Sequence, residues 1–129
     1  MNSNHAPTVL LVDDDEMLRE IGTMILEEIN INVITAINGV DAIELFQQHQ
    51  EHIDMVLLDL TMPKMGGIEC LKRLRALVPE LEVLICSGYT EAEVKALFYN
   101  DSRISFIQKP YQLNAMEDKI RHILTGQQS

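Results

Sequence analysis

The stretch VLLVDDDEM, residues 9–17, joins four apolar residues directly to four consecutive acidic ones. The apolar run is rich in Val and Leu and has no alternating polar residues, a pattern typical of a strand buried on both faces of a sheet. From Met17 onward the apolar residues recur at helical spacing, so we expect the strand to lead directly into a helix. A buried strand followed at once by a helix is the repeating unit of α/β proteins.

The same strand–helix unit recurs along the chain. Five apolar runs are predicted to be strands: residues 8–13, 31–36, 54–59, 81–87 and 104–109. Five helices are predicted from apolar residues at helical spacing: Met17, Leu18, Ile21, Met24, Ile25 and Ile29; Val40, Ile43 and Phe46; Ile68, Leu71, Leu74 and Val78; Val94, Leu97 and Phe98; and Leu113, Met116, Ile120 and Ile123. Asn38 is a predicted N-cap, and Thr90 with Glu93 a predicted capping box.

This alternation predicts the fold class. Strands that alternate with helices form a parallel sheet with helices on both faces, joined by right-handed crossovers. Five units favour an α/β fold with the flavodoxin-like strand order 2-1-3-4-5. No linker or shift in composition divides the 129 residues. We therefore expect one domain over residues 8–124, with flexible tails at residues 1–7 and 125–129.

The composition restricts the class of partner. Twenty acidic residues against ten basic ones give a formal net charge of −10, which argues against binding to nucleic acid or to an anionic membrane. The excess suits a cation or a basic partner, although solubility is the commoner reason for it. No apolar run approaches the roughly 20 residues of a membrane helix, and residues 1–7 do not resemble a secretory signal. We expect a cytoplasmic protein in which Cys70 and Cys86 are free, buried thiols.

Polar side chains stand at the ends of four of the five predicted strands: Asp13 with Asp14, then Asp59, Ser87 and Lys109. Because the carboxyl ends of parallel strands meet at one edge of a sheet, we expect these side chains to lie close together. Three adjacent carboxylates repel one another, and a hard divalent cation such as Mg²⁺ removes that repulsion. Lys109 would be repelled by the cation, so its presence indicates that an anion, most simply a phosphoryl group, also enters the site. The hydroxyl of Ser87 could donate a hydrogen bond to a phosphate oxygen.

Asp59 is the middle carboxylate in the predicted strand order. A carboxylate can act as a nucleophile and form an aspartyl-phosphate, so we infer that Asp59 is the phosphoacceptor and that Asp13 and Asp14 hold the metal. Each residue taken singly has an ordinary alternative. Acids after a strand also cap helices, Ser87 before a glycine suits a turn, and Lys109 with Pro110 could protect an edge strand.

The stretches VDDD (12–15), DLTMPKMGGIE (59–69), SGY (87–89) and KP (109–110) resemble the receiver domain of two-component response regulators. The resemblance implies that Asp14 and Asp59 ligate Mg²⁺ directly, while Asp13 acts mostly through water and the Thr61 carbonyl completes the protein's share. The sequence departs from the family pattern at Gly66, where the family often has an acidic or amide residue.

The resemblance also implies a switch. Ser87 stands at the position of the family's switch hydroxyl, Phe106 at that of its switch aromatic, and Lys109 would pair with the phosphoryl group. Movement of Ser87 and Phe106 would alter the surface formed by helix 4, strand 5 and helix 5, through which a homodimer is possible. The phosphoryl group would come from a histidine kinase or a phosphotransfer domain, and the chain would promote only its own phosphorylation and dephosphorylation. The SGY and FIQKPY stretches are similar to receivers of hybrid sensor kinases.

Two other functions compete with this interpretation. A Mg²⁺-dependent phosphatase or phosphotransferase of the haloacid dehalogenase type also uses an Asp nucleophile, but it requires a second Asp where Thr61 stands. It also requires a cap domain, which we do not expect in this chain. A pseudo-receiver that serves only as a binding scaffold would not need the full set of Asp59, Ser87 and Lys109. A nucleotide- or flavin-binding module is disfavoured because the loop after the first strand is acidic rather than glycine-rich.

Overall fold

The computed structural model describes residues 6–60, 66–88, 90–98, 100–108 and 113–125. Within these ranges strands and helices alternate: β1 (Thr8–Val12), α1 (Glu16–Glu28), β2 (Asn32–Ala36), α2 (Gly39–His49), β3 (Met55–Asp59), α3 (Gly67–Leu77), β4 (Glu82–Ser87), α4 (Glu91–Leu97), β5 (Ile104–Gln108) and α5 (Leu113–Thr125). The five predicted strand–helix units are therefore confirmed. Most of both predicted tails, residues 1–5 and 126–129, lies outside the described ranges.

The five strands form one parallel sheet in the order β2-β1-β3-β4-β5. This confirms the predicted fold class and strand order. Strands β1 and β3 are buried at every position, whereas β2, at the edge, is partly exposed. The difference explains why the first and third strands read as continuous apolar runs, since helices cover both faces of the inner strands.

Apolar residues pack on both faces of the sheet. On one face Leu10, Leu58 and Ile85 contact a layer that includes Phe46 of α2 and Leu74 of α3. The opposite face has its own buried cluster, formed by the alternate strand residues and by α1 and α5: Val9, Leu11, Leu26, Ile31, Met55, Leu57, Leu84, Cys86, Ile107, Met116 and Ile120. Successive strand residues point to opposite faces, so each inner strand contributes to both cores and is fixed from both sides.

The predicted apolar face of α1 is wrong in part. Met17 and Met24 are 66% and 62% exposed, and the buried positions of this helix are Gly22 and Leu26. A Cβ at position 22 would lie 3.0 Å from Leu11 Cδ2, so the glycine allows α1 to approach the sheet closely. Counting large apolar residues therefore misplaced the helix face in part, because α1 contacts the sheet through Gly22, which has no side chain, as well as through Leu26.

The predicted role of Val40 in α2 is also wrong, since this side chain is 45% exposed. The first turn of α2 buries Gly39 and Ala42 instead. Two small residues bring the helix near the sheet and leave the larger Val40 on its flank.

The helix caps predicted from the sequence at Asn38 and Thr90 are present in the structure. Asp15 caps α1 by accepting hydrogen bonds from the N–H groups of Met17 and Leu18, and Asn38 caps α2. Thr90 and Glu93 form the predicted capping box of α4. Each cap satisfies N–H groups that have no partner within the helix, so the point at which each helix begins is determined locally.

The two cysteines are free and buried, as predicted. Burial raises the pKa of the Cys70 thiol to about 12, so this side chain behaves as a small apolar residue of the core. None of the helices in the described ranges has the length and apolar character needed to cross a bilayer.

Helix α1 ends at a residue with left-handed backbone geometry. Asn30 has φ of 68°, its N–H bonds to the carbonyl of Glu27, and the N–H of Ile31 bonds to that of Leu26. This pair of bonds is the Schellman motif, which reverses the chain direction from the helix toward β2.

Replacing Asn30 tests this turn. We expect Asn30→Ala to lower the free energy of unfolding by about 1 kcal/mol, because a left-handed conformation is unfavourable for a residue with an ordinary Cβ. Asn30→Gly should leave stability unchanged or raise it, since glycine adopts this geometry freely. Urea denaturation followed by circular dichroism measures both. Equal losses for Ala and Gly would contradict the explanation.

Candidate metal centre

Three carboxylates meet at the carboxyl edge of the sheet. Asp13 directly follows β1 and Asp59 is the last residue of β3. These two strands are hydrogen-bonded neighbours whose final pair is Val12 with Leu58, so the two acids emerge side by side. Asp14 joins them, and one carboxylate oxygen from each of the three residues lies within 4.8 Å of the others. The predicted gathering of these acids is therefore present.

The three acids differ in exposure. Asp13 and Asp59 are only 6% and 4% exposed, whereas Asp14 is exposed. Their hard oxygen donors are the type that Mg²⁺ selects, and the exposed third donor gives a cation access from solvent. The donor set, its close spacing and its accessible side thus fit a small divalent cation.

The turn between β1 and α1 is held by several bonds. The N–H of Asp13 donates to the carbonyl of Ala36 at 3.1 Å, and its Oδ1 accepts from the N–H of Asp15 at 2.9 Å. Nη1 of Arg19, one helical turn into α1, donates to the carbonyl oxygen of Asp13 at 2.8 Å. Asp13 and Asp15 therefore have different structural roles: Asp13 belongs to the acidic cluster, whereas Asp15 caps α1.

Arg19 was not identified from the sequence. The signal was a single basic residue six positions after Asp13, on the first turns of an otherwise acidic helix segment. Helical geometry places a residue of the second turn near the strand–helix junction, but only the folded turn shows that the guanidinium bends back to it.

Ser87 ends β4 beside the acidic cluster. Asp59 is in register with Cys86, so Ser87 is one residue beyond this pair on the neighbouring strand, and it is fully buried. Ser87 is in turn in register with Gln108 of β5, which Lys109 follows in the sequence. Lys109 and Thr61 lie outside the described residues, as do Pro110 and Tyr89.

Phe106 is on β5, away from the acids. It is half-buried and lines a groove of about 430 Å³. The groove runs between α4 and α5, with Val94 and Phe98 on one side and Lys119 on the other. Phe106 is in register with Ile85 of β4, two residues before Ser87.

A glycine allows the chain after β3 to pass close to Asp59. A Cβ at Gly67 would lie 2.4 Å from the Cα of Leu60 and 2.6 Å from the carbonyl oxygen of Asp59. The N–H of Gly67 also donates to the carbonyl of Leu60 at 3.1 Å. The N-cap residue of α3 is Gly66, which has no side chain that could cap the helix. The start of α3 is therefore held by backbone hydrogen bonds.

The comparisons with known proteins place the chain in a family. The model of the response regulator receiver domain matches residues 9–121. The chain therefore belongs to the receiver domain family, the phosphoacceptor signalling domains of two-component systems.

Relatives with different architectures share this domain. The chain is 35% identical over 123 residues to the autoinducer 1 sensor kinase/phosphatase LuxN of Vibrio harveyi, covering 95% of this chain but 14% of LuxN. It is 31% identical over 121 residues to the chemotaxis protein CheY of Halobacterium salinarum, covering 94% of this chain and 99% of CheY. The chain thus spans a small part of the sensor kinase and nearly the whole of CheY.

Solved structures have the same fold. A chain of the CheX–CheY–BeF₃–Mg²⁺ complex of Borrelia burgdorferi gives a TM-score of 0.83 at 31% identity, covering 91% of this chain and 88% of that one. A receiver domain protein of Clostridium thermocellum gives a TM-score of 0.84 at 22% identity, covering 93% and 95%.

Gly67→Ala tests the close approach beside Asp59. We expect a loss of about 1–3 kcal/mol in the free energy of unfolding, because the added methyl overlaps backbone atoms that cannot move independently. Gly88→Ala is the matched control, since a Cβ there meets nothing within 4 Å. Urea denaturation compares the two variants, and equal midpoints would show that position 67 does not require glycine.

Proposed function

We propose that Asp59 is the phosphoacceptor of this receiver domain and that its phosphorylation depends on Mg²⁺. The observation that carries this proposal is the convergence of Asp13, Asp14 and Asp59 at the carboxyl edge of the sheet, with oxygens within 4.8 Å of one another. Asp59 is the acid at the end of the central strand β3, with β1 and β4 on either side. Its neighbours therefore supply groups to both sides of a phosphoryl group bound there.

The phosphoryl donor is a phosphohistidine on a histidine kinase or a phosphotransfer domain. A carboxylate oxygen of Asp59 forms a bond to phosphorus while the P–N bond breaks, and the electron pair of that bond goes to the imidazole nitrogen. Asp13, Asp14 and Asp59, with the carbonyl of Thr61, would hold Mg²⁺, which neutralises negative charge on the transferring group when bound.

Two further residues act on the phosphoryl group. The hydroxyl of Ser87, at the end of the strand next to β3, donates a hydrogen bond to a phosphoryl oxygen, and Lys109 provides a positive charge. Both interactions strengthen as Asp59 becomes an anionic aspartyl-phosphate, so they favour the phosphorylated state.

The output is a change of surface. Ser87 ends β4, and Phe106 lies on the neighbouring β5 in the groove between α4 and α5. Movement of Ser87 toward the phosphoryl group makes room for Phe106 and changes the face formed by α4, β5 and α5. This face is where a partner, or a second copy of the chain, would distinguish the two states.

The relatives support a place in a phosphorelay. LuxN is a sensor kinase/phosphatase of which this chain matches 14%, as is consistent with a receiver that works beside a kinase. The CheX–CheY complex of Borrelia burgdorferi was crystallised with BeF₃ and Mg²⁺. The acidic cluster of this chain is proposed to bind Mg²⁺ beside a phosphoryl group. The domain transfers a signal and does not turn over a separate substrate.

Asp59→Asn tests the phosphoacceptor. After incubation with acetyl phosphate and Mg²⁺, the wild-type chain should gain about 80 Da by intact mass spectrometry, and Asp59→Asn should gain nothing because an amide is not a nucleophile. Asp54→Asn is the control, since this exposed residue precedes the same strand and its side chain accepts a hydrogen bond from Thr8. Labelling that survives in Asp59→Asn would overturn the assignment, and turnover of simple phosphate esters would favour a phosphatase instead.

Asp14→Asn tests the metal site. We expect at least a tenfold rise in the Mg²⁺ concentration needed for half-maximal labelling, because an anionic oxygen ligand is lost. Excess EDTA should abolish labelling of the wild type. Labelling that proceeds equally with EDTA would contradict a metal-dependent reaction, and labelling of neither protein under any condition would favour a binding scaffold.

A further inference from the structure

Arg19 is adjacent to the acidic cluster but has no task in the phosphoryl transfer proposed above. Its Nη1 donates a 2.8 Å hydrogen bond to the carbonyl oxygen of Asp13. Since that oxygen and the Asp13 carboxylate belong to one residue, the guanidinium lies within about 8 Å of the carboxylate by covalent geometry. A permanent positive charge is thus held beside a group of three negative ones.

We propose that Arg19 is a built-in counter-charge that stabilises the acidic cluster when no cation is bound and thereby limits the affinity of the site for Mg²⁺. The inference rests on the proposed metal site and adds a residue that sets its affinity. It makes cation binding, and the phosphorylation that depends on it, responsive to the concentration of Mg²⁺ instead of permanently saturated.

The burial of the acids makes this charge effective. Asp13 and Asp59 are more than nine-tenths buried, so water and salt screen their interactions less than those of surface groups. In the empty site the guanidinium attracts the carboxylates. In the filled site it repels a divalent cation, and both effects favour the empty state over the filled one.

The competing role is that Arg19 positions the turn through its hydrogen bond. The turn has other supports, however, because Asp13 bonds to Ala36 and to the N–H of Asp15, and Asp15 caps α1. Loss of one bond to a carbonyl oxygen should therefore leave the acids in place. The two roles predict opposite changes in metal affinity: loss of a counter-charge tightens Mg²⁺ binding, whereas loss of a positioning bond weakens it.

Arg19→Met separates these roles. Methionine keeps an unbranched apolar stem and has nearly the helix propensity of arginine, so the variant removes the charge and the donor with little effect on α1 itself. We expect isothermal titration calorimetry in low salt to show Mg²⁺ binding about threefold to tenfold tighter than in the wild type. The difference should shrink in high salt.

Stability gives a second readout that is independent of phosphorylation. Metal-free Arg19→Met should have a lower urea midpoint than the metal-free wild type, because its acidic cluster has lost the positive charge that Arg19 supplies. Saturating Mg²⁺ should reduce that difference, since a ligand that binds more tightly stabilises the folded state more at the same concentration.

Two variants serve as controls. Arg19→Lys keeps a positive charge at this position and should bind Mg²⁺ within about twofold of the wild type. Arg121→Met removes the same charge from an exposed position on α5 and should also stay within about twofold, because exposed charges far from the site are screened. If Arg121→Met tightened Mg²⁺ binding as much as Arg19→Met does, the effect would come from the net charge of the protein and not from the position of Arg19. That result would overturn the proposal.

Each remaining outcome is decisive. Weaker Mg²⁺ binding in Arg19→Met would make Arg19 a positioning residue, and unchanged binding with lower stability would make it only structural. Either result would overturn the counter-charge role of Arg19 and leave the proposed metal site standing. If the wild-type chain binds no Mg²⁺, or binds it equally well as Asp14→Asn, the proposed metal site fails and the inference fails with it.

Discussion

The parallel pairing of β1 with β3 is the constraint on which the site depends. Their last register pair, Val12 with Leu58, forces Asp13 and Asp59 to emerge together at one edge, nearly withdrawn from water. Two like charges held in this way repel one another. The apolar cores on both faces of the sheet hold the strands in that register, so burial far from the edge stabilises an arrangement that the acids alone would not adopt.

The β1–α1 turn divides neighbouring acids among different environments. Asp13 is buried in the cluster, Asp14 is exposed at its side, and Asp15 faces the first N–H groups of α1. Arg19 returns from the helix to the carbonyl of Asp13. The three consecutive Asp residues therefore become two carboxylates of the cluster and one helix cap, and the guanidinium of Arg19 bonds to the backbone of the first of them.

Much of the fold could be predicted because its signals are local. Continuous apolar runs identified the inner strands, and the caps at Asn38 and Thr90 marked where helices begin. The helix faces were less predictable. Met24 and Val40 are exposed because α1 and α2 approach the sheet through small residues such as Gly22. A count of large apolar side chains does not detect contacts that are made by small residues.

The sequence by itself determined which acids could meet, since parallel strands place Asp13 and Asp59 at a common edge whatever the details of packing. It also determined the residue types that make the edge suited to a cation and a phosphoryl group. Only the tertiary structure decided the separate exposures of Asp13 and Asp14 and the return of Arg19 to the turn. These depend on the rotation of α1 against the sheet and on bonds between residues, which the distance along a chain does not specify.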